Sequence, residues 1–224
     1  MHTDTKSRES GNTILELALC LPLLSTLFFG TTALGIMGGR FVQVQQVCRD
    51  IDHMYSDAVD FTQTVPRNIV TQKLAAGVGM TDTGGNGVVI LSKITTVFLA
   101  DCAGAGLTGG QCANADLPVF MNRIYIGDKT LRASSFGTPN AAILDAAGNI
   151  KSSVYMQNTD STVRTAGFEA LFDDAVQRVT GSAPSPPAMN DGDVIHLAEC
   201  YFKYPDISFL GWTSGGAYAR FMFR

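Results

Sequence analysis

The chain opens with a polar segment that gives way to a long apolar run. From Leu17 to Gly39 there are 23 consecutive residues without a charged side chain. As an α-helix, this run extends about 35 Å at 1.5 Å per residue, which exceeds the roughly 30 Å of hydrocarbon in a bilayer. The pattern predicts a transmembrane helix over residues 12–39, preceded by a separate polar segment over residues 1–11.

After Gly39 the apolar positions recur every three or four residues, which places them on one face of an amphipathic helix. These positions are Phe41, Val44, Val47, Cys48, Ile51, Tyr55, Val59 and Phe61. We expect one helix to run from Thr13 to Gln63, with residues 40–63 as the amphipathic continuation of the membrane helix. Its apolar face would pack on a globular domain formed by residues 64–224.

The remainder of the chain reads as short helices and strands. "PRNIVTQKLAAGVG" begins with Pro66 and predicts a short helix that ends at Gly77 and Gly79. "GVVILSKITTVFLA", "VFMNRIYIG" and "VIHLAECYFKY" have strand composition, and "SSVYMQ" and "AYARFMF" are further strand candidates. "FEALFDDAVQRV" predicts a helix and "SAPSPPAMNDGD" a loop. The fold class is therefore α+β, with the long amino-terminal helix packed on a mainly antiparallel sheet.

Charge and composition restrict the location and the partners. Hydrophobic residues make up 46% of the chain and charged residues 16%, and the net charge is −4 without any basic block, which argues against nucleic acid as a partner. Lys6 and Arg8 precede the apolar run, and this order favours an amino end in the cytoplasm. Arg40 and Arg49 on the far side weaken that argument. We expect a single-pass protein of the inner (cytoplasmic) membrane whose carboxyl-terminal domain is extracytoplasmic.

Glu16 is an unusual residue at the start of the apolar run. A charged side chain at the centre of a bilayer costs about 2.5–3.5 kcal/mol on insertion scales, and less near the interface. Ionisable residues inside membranes are therefore functional by default. The alternative is a glutamate that reaches the headgroups at the beginning of a helix, where the helix dipole favours an acid.

Three kinds of membrane signal compete for this segment. A cleaved secretory signal has an apolar core of roughly 7–15 residues, which is shorter than this run, although "TALG" offers a cleavage site around Gly35. A lipoprotein signal needs a small residue before the cysteine, and Leu19 precedes Cys20. The third kind is a prepilin signal, in which a short polar leader ends in a glycine, here Gly11, directly before "NTILE".

The motifs at both ends of the chain resemble those of one family. "GNTILELALCLPLLSTLFFGTTALG", followed by "GRFVQVQQVCRDIDHMYSDAVDF", resembles the TadE-like minor pseudopilins of tight-adherence (Tad) type IV pilus systems, whose helix opens E-x-A-L-x-L-P-x-L. "VIHLAECYFKYPDISFLGW" and "AYARFMFR" are similar to the family's terminal strands and aromatic-proline bend. The middle of the chain matches in character only.

This resemblance implies a processed structural subunit. A prepilin peptidase would remove residues 1–11 by cutting between Gly11 and Asn12, and the new amine at Asn12 would lie one helical turn from Glu16. That amine, on the same or a neighbouring subunit, would offset the carboxylate during assembly. The implied partners are the prepilin peptidase, major and minor pilins and the Tad inner-membrane assembly platform, and the implied roles are pilus assembly, adhesion and secretion.

Two further features of the apolar run bear on helix packing. Thr31, Gly35 and Gly39 recur at every fourth residue, and such a small-residue face lets membrane helices approach closely. The ordinary abundance of glycine in membrane helices explains the spacing equally well. Pro22 removes a hydrogen bond to the carbonyl of Ala18 and predicts local bending, which neighbouring helices can compensate.

The five cysteines suggest two disulfides if the domain is extracytoplasmic. Cys102 and Cys112 bracket the glycine- and alanine-rich "AGAGLTGGQ", and a bridge between them is expected to add about 2–3 kcal/mol. Cys48 and Cys200 then remain as a second pair, from the long helix to the penultimate strand. Zinc is the competing interpretation, but the chain has no C-x-x-C pair.

Other motifs give little support to catalysis or to a cofactor. "GAGLTG" matches G-x-G-x-x-G, but no helical pattern follows it, as a dinucleotide site requires. Asp82 begins an isolated D-T-G triplet, whereas aspartic proteases need two. A solvated acidic face, rather than a metal site, is the preferred interpretation of His53, Asp57 and Asp60, which follow helical spacing. We predict a protein that is not an enzyme, with no cofactor and no metal. The alternatives are an uncleaved single-pass protein with an outer binding domain and a secreted hydrolase.

Overall fold

The computed structural model describes residues 6–157, 160–165, 192–204, 208–209, 212–213 and 215–224. Its α-helices are α1 (Lys6–Ser56), α2 (Thr64–Asn68), α3 (Leu99–Gly104) and α4 (Ser152–Gln157). Its strands are β1 (Gly87–Thr96), β2 (Pro118–Gly127), β3 (Val194–Phe202), β4 (Ser208–Phe209), β5 (Trp212–Thr213) and β6 (Ala217–Phe223). The helix predicted over residues 168–179 lies outside the described residues, as does the loop predicted over 182–193 except for its last two residues.

Helix α1 is continuous through Pro22, as the sequence predicts, but the predicted end at Gln63 is wrong because the helix ends at Ser56. The chain leaves the helix at Ala58, which has a φ of 61°. There the amide of Val59 donates to the carbonyl of Met54, and the amide of Ala58 donates to that of Tyr55. This pair of bonds is a Schellman cap, which normally uses glycine at the left-handed position. This helix end could not be predicted from the sequence, because Ala58 is not a glycine.

The short helix predicted from Pro66 is confirmed, with a change of geometry along its length. α2 begins two residues before the proline and continues as a π-helix over Ile69–Leu74. The following turn passes through Gly77 and Gly79, both at positive φ, which the absence of a side chain makes inexpensive. This segment adds Val70 to the core beneath α1.

The main sheet is antiparallel, with the strand order β2-β1-β3-β6, and it confirms the α+β class. The three long predicted strands form β1, β2 and β3, and "AYARFMF" forms β6. The strand candidate "SSVYMQ" is wrong, because residues 152–157 form α4. Its carbonyls at Tyr155 and Met156 accept hydrogen bonds from Asn114, so tertiary contacts stabilise the last turn of this helix.

Helix α1 covers one face of the sheet. Its buried residues form one core with the side chains of the sheet that face it. In α1 these residues are Val44, Val47, Cys48, Ile51 and Tyr55, and in the sheet they include Val89, Leu91, Ile126, Ala198 and Cys200. The amphipathic face predicted from the sequence is therefore confirmed from Val44 to Tyr55, whereas Phe41 is 45% exposed and Val59 and Phe61 lie after the end of the helix. The core begins at Val44, so only the second part of α1 belongs to the domain.

Loops cover the opposite face of the sheet. Phe136 and Ile150 pack there against Ile94, Phe120 and Leu197. The loop that contains Phe136 is held by Glu199 of β3, whose side chain is 1% exposed. The carboxylate of Glu199 accepts hydrogen bonds from the Ser134 hydroxyl, from the Ser135 amide at 2.8 Å and from the Tyr218 hydroxyl at 2.7 Å. These bonds satisfy a buried charge that would otherwise be costly.

Candidate functional site

From Ile14 to Gly39, α1 is an apolar rod whose large hydrophobic side chains are exposed. Every leucine, isoleucine and phenylalanine from Ile14 to Phe29 is exposed, with Ile14 and Leu19 each at 70%. The helix is long enough and apolar enough to cross a membrane, and its most apolar stretch makes no contact that buries it. Contiguous apolar surface of this extent marks a membrane or protein interaction site. The structure therefore agrees with a single membrane-spanning helix at this end of the chain.

Glu16 lies on this rod, one helical turn after Asn12. Its side chain is exposed, and it forms no ion pair with the part of the chain that the structure describes. The bond between Gly11 and Asn12 lies inside α1.

The small residues of the rod point away from the folded domain. Gly35 and Val44 are nine residues apart, and at about 100° per residue they lie on opposite sides of α1. Val44 is buried against the sheet, so Gly35 faces outward, with Thr31 and Gly39 one turn before and after it. A side chain added at Gly35 or Gly39 would meet no atom within 4 Å. Another helix could approach this side without meeting the protein's own domain.

Hydroxyl groups near Pro22 are satisfied within the helix. The Ser25 hydroxyl donates to the carbonyl of Pro22 at 2.9 Å, and the Thr26 hydroxyl donates to that of Leu23 at 2.8 Å. The Thr31 hydroxyl donates to the carbonyl of Leu27 at 2.9 Å. Internal bonds of this kind reduce the cost of placing polar side chains in lipid, because no donor is left unpaired.

A disulfide joins α1 to the sheet shortly after the end of the rod. Cys48 of α1 is bonded to Cys200 of β3, with Cα atoms 5.7 Å apart and 152 residues between them in sequence. Both residues are fully buried. The Arg40 guanidinium, two turns nearer the rod, lies 5.2 Å from the centre of the Tyr204 ring, a cation–π contact at the edge of the same junction.

The second predicted disulfide is also present. It joins Cys102 in α3 to Cys112, and both residues are buried in a small apolar cluster beside Val97 and Val119. Cys20 is exposed on α1 and is the free cysteine. Both cysteine pairs proposed from the sequence are thus bonded as expected.

A buried polar network lies under the last turn of α1. The Tyr55 hydroxyl donates to the side-chain oxygen of Asn122 at 2.7 Å, and the Asn122 amide donates to the side-chain oxygen of Asn149 at 2.7 Å. The Tyr55 ring contacts His196 edge to face at 5.3 Å, and the Lys93 ammonium lies 5.2 Å from its centre. Burial raises the pKa of Tyr55, so the hydroxyl remains a neutral donor at physiological pH.

Removing this hydroxyl tests how firmly the helix end is fixed. Tyr55→Phe leaves the buried oxygen of Asn122 without its donor, so we expect the free energy of unfolding to fall by about 1–3 kcal/mol. Urea unfolding followed by circular dichroism measures the change. Tyr155→Phe is the control, because the Tyr155 hydroxyl donates no hydrogen bond within the described part of the chain, and it should change the value by less than about 0.5 kcal/mol. Equal effects of the two substitutions would contradict the role given to Tyr55.

Asp52 is the least expected residue at the junction, which is the contact between α1 and the sheet. The residue is 0% exposed, and neither carboxyl oxygen has a hydrogen-bond partner among the described residues. Burial raises the pKa of Asp52 to about 8. A carboxyl group in this state is largely protonated near neutral pH.

The motifs that suggested other chemistry have structural explanations. Asp82, from the D-T-G triplet, pairs with Arg67, which also donates to the carbonyl of Tyr125 at 2.9 Å. The carbonyl of Asp82 accepts from the Gly127 amide at 2.8 Å, so this turn closes the outer edge of β2. In "GAGLTG", Gly104 ends α3, so the helix precedes the glycines where a dinucleotide site needs one to follow.

The acidic positions after α1 do not share a helix face, because the helix ends at Ser56. His53 and Asp57 approach to 3.5 Å, whereas Asp60 accepts bonds from the amide and hydroxyl of Thr62 in a separate turn. These bonds hold the pKa of Asp60 below its usual range. No group of three or more metal-ligating side chains occurs among the residues described.

Asp52, Asn122 and Glu199 are the functional or structural polar residues that the sequence did not reveal. The one available signal concerned Asp52, which lies four residues after Cys48 and three before Tyr55 and so falls on the apolar face by spacing. A carboxylate at such a position is ordinarily assigned to solvent. The partners of Asn122 and Glu199 depend on strand register, which the sequence does not specify.

Neither the family models nor the curated proteins nor the solved structures that were compared with the chain include a match. The family resemblance therefore rests on the quoted motifs alone, and the function that it implies is a proposal.

Proposed function

We propose that this chain is a structural minor pseudopilin of the TadE-like type, processed by a prepilin peptidase and taking part in the assembly of a Tad-type pilus and in adhesion. The division of α1 carries the proposal. Its exposed part is an apolar rod of membrane length, and its buried part belongs to the core of an α+β domain. A rod of this kind is stable in lipid or against other apolar helices, so it suits a subunit that passes from a membrane into a fibre.

In this proposal, each candidate residue of the rod has one role. Cleavage between Gly11 and Asn12 creates an amine that pairs with Glu16 of the same or a neighbouring subunit. Thr31, Gly35 and Gly39 form the side along which helices pack. The domain lies outside the inner membrane, and the partners are the prepilin peptidase, the major and minor pilins and the assembly platform. The two disulfides support this location, because they persist in oxidising compartments.

A second candidate function is an uncleaved single-pass protein whose outer domain binds a partner. One observation favours it: α1 runs as a helix through the Gly11–Asn12 bond, so a peptidase must first open that turn. The motifs quoted above favour cleavage, so we prefer the pseudopilin.

Blocking the cleavage point separates the two functions. We expect Gly11→Leu to keep the chain at full length in the membrane fraction and out of sheared surface fibres, because the peptidase requires glycine before the cut. Gly30→Leu is the control, since it adds the same side chain to α1 at a position where nothing lies within 4 Å. It should be shortened by residues 1–11 and enter the fibre fraction. Gly11→Leu chains in fibres at the level of the unaltered protein would refute the proposal.

A further inference from the structure

The carboxyl group of Asp52 is buried without a hydrogen bond to any residue that the structure describes. The residue is 0% exposed, and both of its carboxyl oxygens lack such a partner. Native proteins nearly always pair buried charges, because an unpaired ionised carboxylate in an apolar environment is very costly. Such an exception in the interface that joins α1 to its domain requires a physical explanation.

Asp52 lies where α1 crosses β3 and β6. It is one turn after Cys48, which is bonded to β3, and His53 beside it stacks at 5.1 Å on Phe223 of β6. On the side of the sheet that faces α1, Ala198 pairs with Phe221 in neighbouring strands. The surface beneath this part of the helix includes Ala198 and Phe221, apolar side chains that cannot solvate a carboxylate.

The titratable groups on the facing elements do not neutralise Asp52. Tyr55 of the same helix is the group that it influences electrostatically, and both are acids. Lys93 of β1 lies over the Tyr55 ring, and His196 of β3 contacts the edge of that ring. Arg123 of β2 donates to the carbonyl of Gly137, and the Arg220 guanidinium of β6 lies 5.9 Å from the centre of the Phe136 ring, both on the other side of the sheet. None of these cations forms an ion pair with Asp52 in the described part of the chain.

We propose that Asp52 makes the junction between α1 and the sheet sensitive to pH: the last turns of α1 pack on the sheet while the carboxyl is protonated and detach when it ionises. The device consists of one buried acid without a partner and an apolar surface opposite it. Its action is local, because the Cys48–Cys200 disulfide holds α1 to β3 one turn earlier. Detachment therefore affects residues 49–56 and leaves the part of α1 that precedes Cys48 in place.

The direction of the effect follows from proton linkage. Burial raises the pKa of Asp52 to about 8 when the helix is packed, whereas the exposed group in the detached helix has an ordinary value near 3.8. Below about pH 4 both forms are protonated, so pH has no effect. Between about pH 4 and 8 the detached form binds fewer protons, so detachment becomes up to about tenfold more favourable per pH unit. Above about pH 8 both forms are ionised and the dependence ends.

Hydrogen exchange of the full-length protein in detergent tests the inference. After correction for intrinsic exchange, the protection of amides 49–56 should fall by a hundredfold or more between pH 5 and pH 8, while amides of β1 show a much smaller change. Asp52→Asn should remove this dependence. Asp50→Asn is the matched control, because Asp50 is exposed on the same helix two residues away, and it should retain the dependence of the unaltered protein.

A second measurement keeps the test decisive if Asp52→Asn does not fold. The carboxyl carbon of Asp52 in the unaltered protein can be titrated directly by carbon-13 NMR with labelled aspartate. A midpoint above pH 7 that coincides with the loss of protection supports the inference. A midpoint near 4, or protection of residues 49–56 that does not change with pH, overturns it. Neither outcome depends on cleavage at Gly11 or on pilus assembly, so a failure here is distinct from a failure of the proposed function.

Discussion

Replacing Cys48 and Cys200 with serine is expected to lower the free energy of unfolding of the domain by about 3–5 kcal/mol. The bridge closes a loop of 152 residues, and the chain-entropy model assigns about 5 kcal/mol to a loop of that length. The loss also removes the covalent link between α1 and β3, so α1 would be joined to the sheet by non-covalent contacts alone. Urea unfolding followed by near-ultraviolet circular dichroism measures the change.

The other disulfide provides a matched control. Cys102 and Cys112 are 10 residues apart, and the same model assigns about 3 kcal/mol to their bridge. Its double serine variant should therefore be less destabilised, and it should leave α1 attached to the sheet. Each variant should also carry Cys20→Ser, since a free thiol can exchange with the remaining bridge. A larger loss for the short loop than for the long one would contradict this ranking.

Neutralising Glu16 is expected to lower the incorporation of the chain into fibres at least tenfold. The carboxylate is exposed on the apolar rod, and in the proposed function it pairs with the amine that cleavage creates at Asn12. Each tenfold loss corresponds to about 1.4 kcal/mol, less than the value of one well-formed ion pair shielded from water. Glu16→Gln keeps the shape of the side chain and removes the charge. Immunoblots of sheared fibres and of membranes measure the distribution.

Membrane insertion should not decline in this variant, because a neutral side chain is less costly in lipid than a carboxylate. Glu9→Gln is the control, since Glu9 lies in the polar segment that cleavage would remove and should leave incorporation unchanged. Normal fibre incorporation of Glu16→Gln would show that the carboxylate has no part in assembly.

The division of α1 into an exposed part and a buried part could be predicted from the sequence, because two simple patterns define it. The run from Leu17 to Gly39 lacks charge, and the positions from Val44 to Tyr55 recur with helical spacing, so an exposed part and a buried part were both expected. The long strands were equally clear, since their β-branched residues are dense. The pairing of Cys48 with Cys200 was also foreseen, although spacing alone supplied no geometry for it.

Other features escaped prediction because tertiary contacts decide them. Six residues such as "SSVYMQ" are too few to distinguish strand from helix, and the bonds from Asn114 to α4 come from a distant loop. Helix α1 ends at Ser56 through a left-handed alanine, which carries no signal in the sequence. Asp52 falls on the apolar face by spacing, but a carboxylate at such a position is ordinarily assigned to solvent, so its burial was not expected.

The proposed function requires that a membrane helix be trimmed before its subunit enters a fibre. The most direct test is the amino-terminal sequence and intact mass of the protein extracted from membranes and from sheared fibres. We expect a chain that begins at Asn12 in the fibres, with the full-length precursor confined to membranes. A chain that begins at Met1 in every fraction, or one that begins near Ile36, would contradict it.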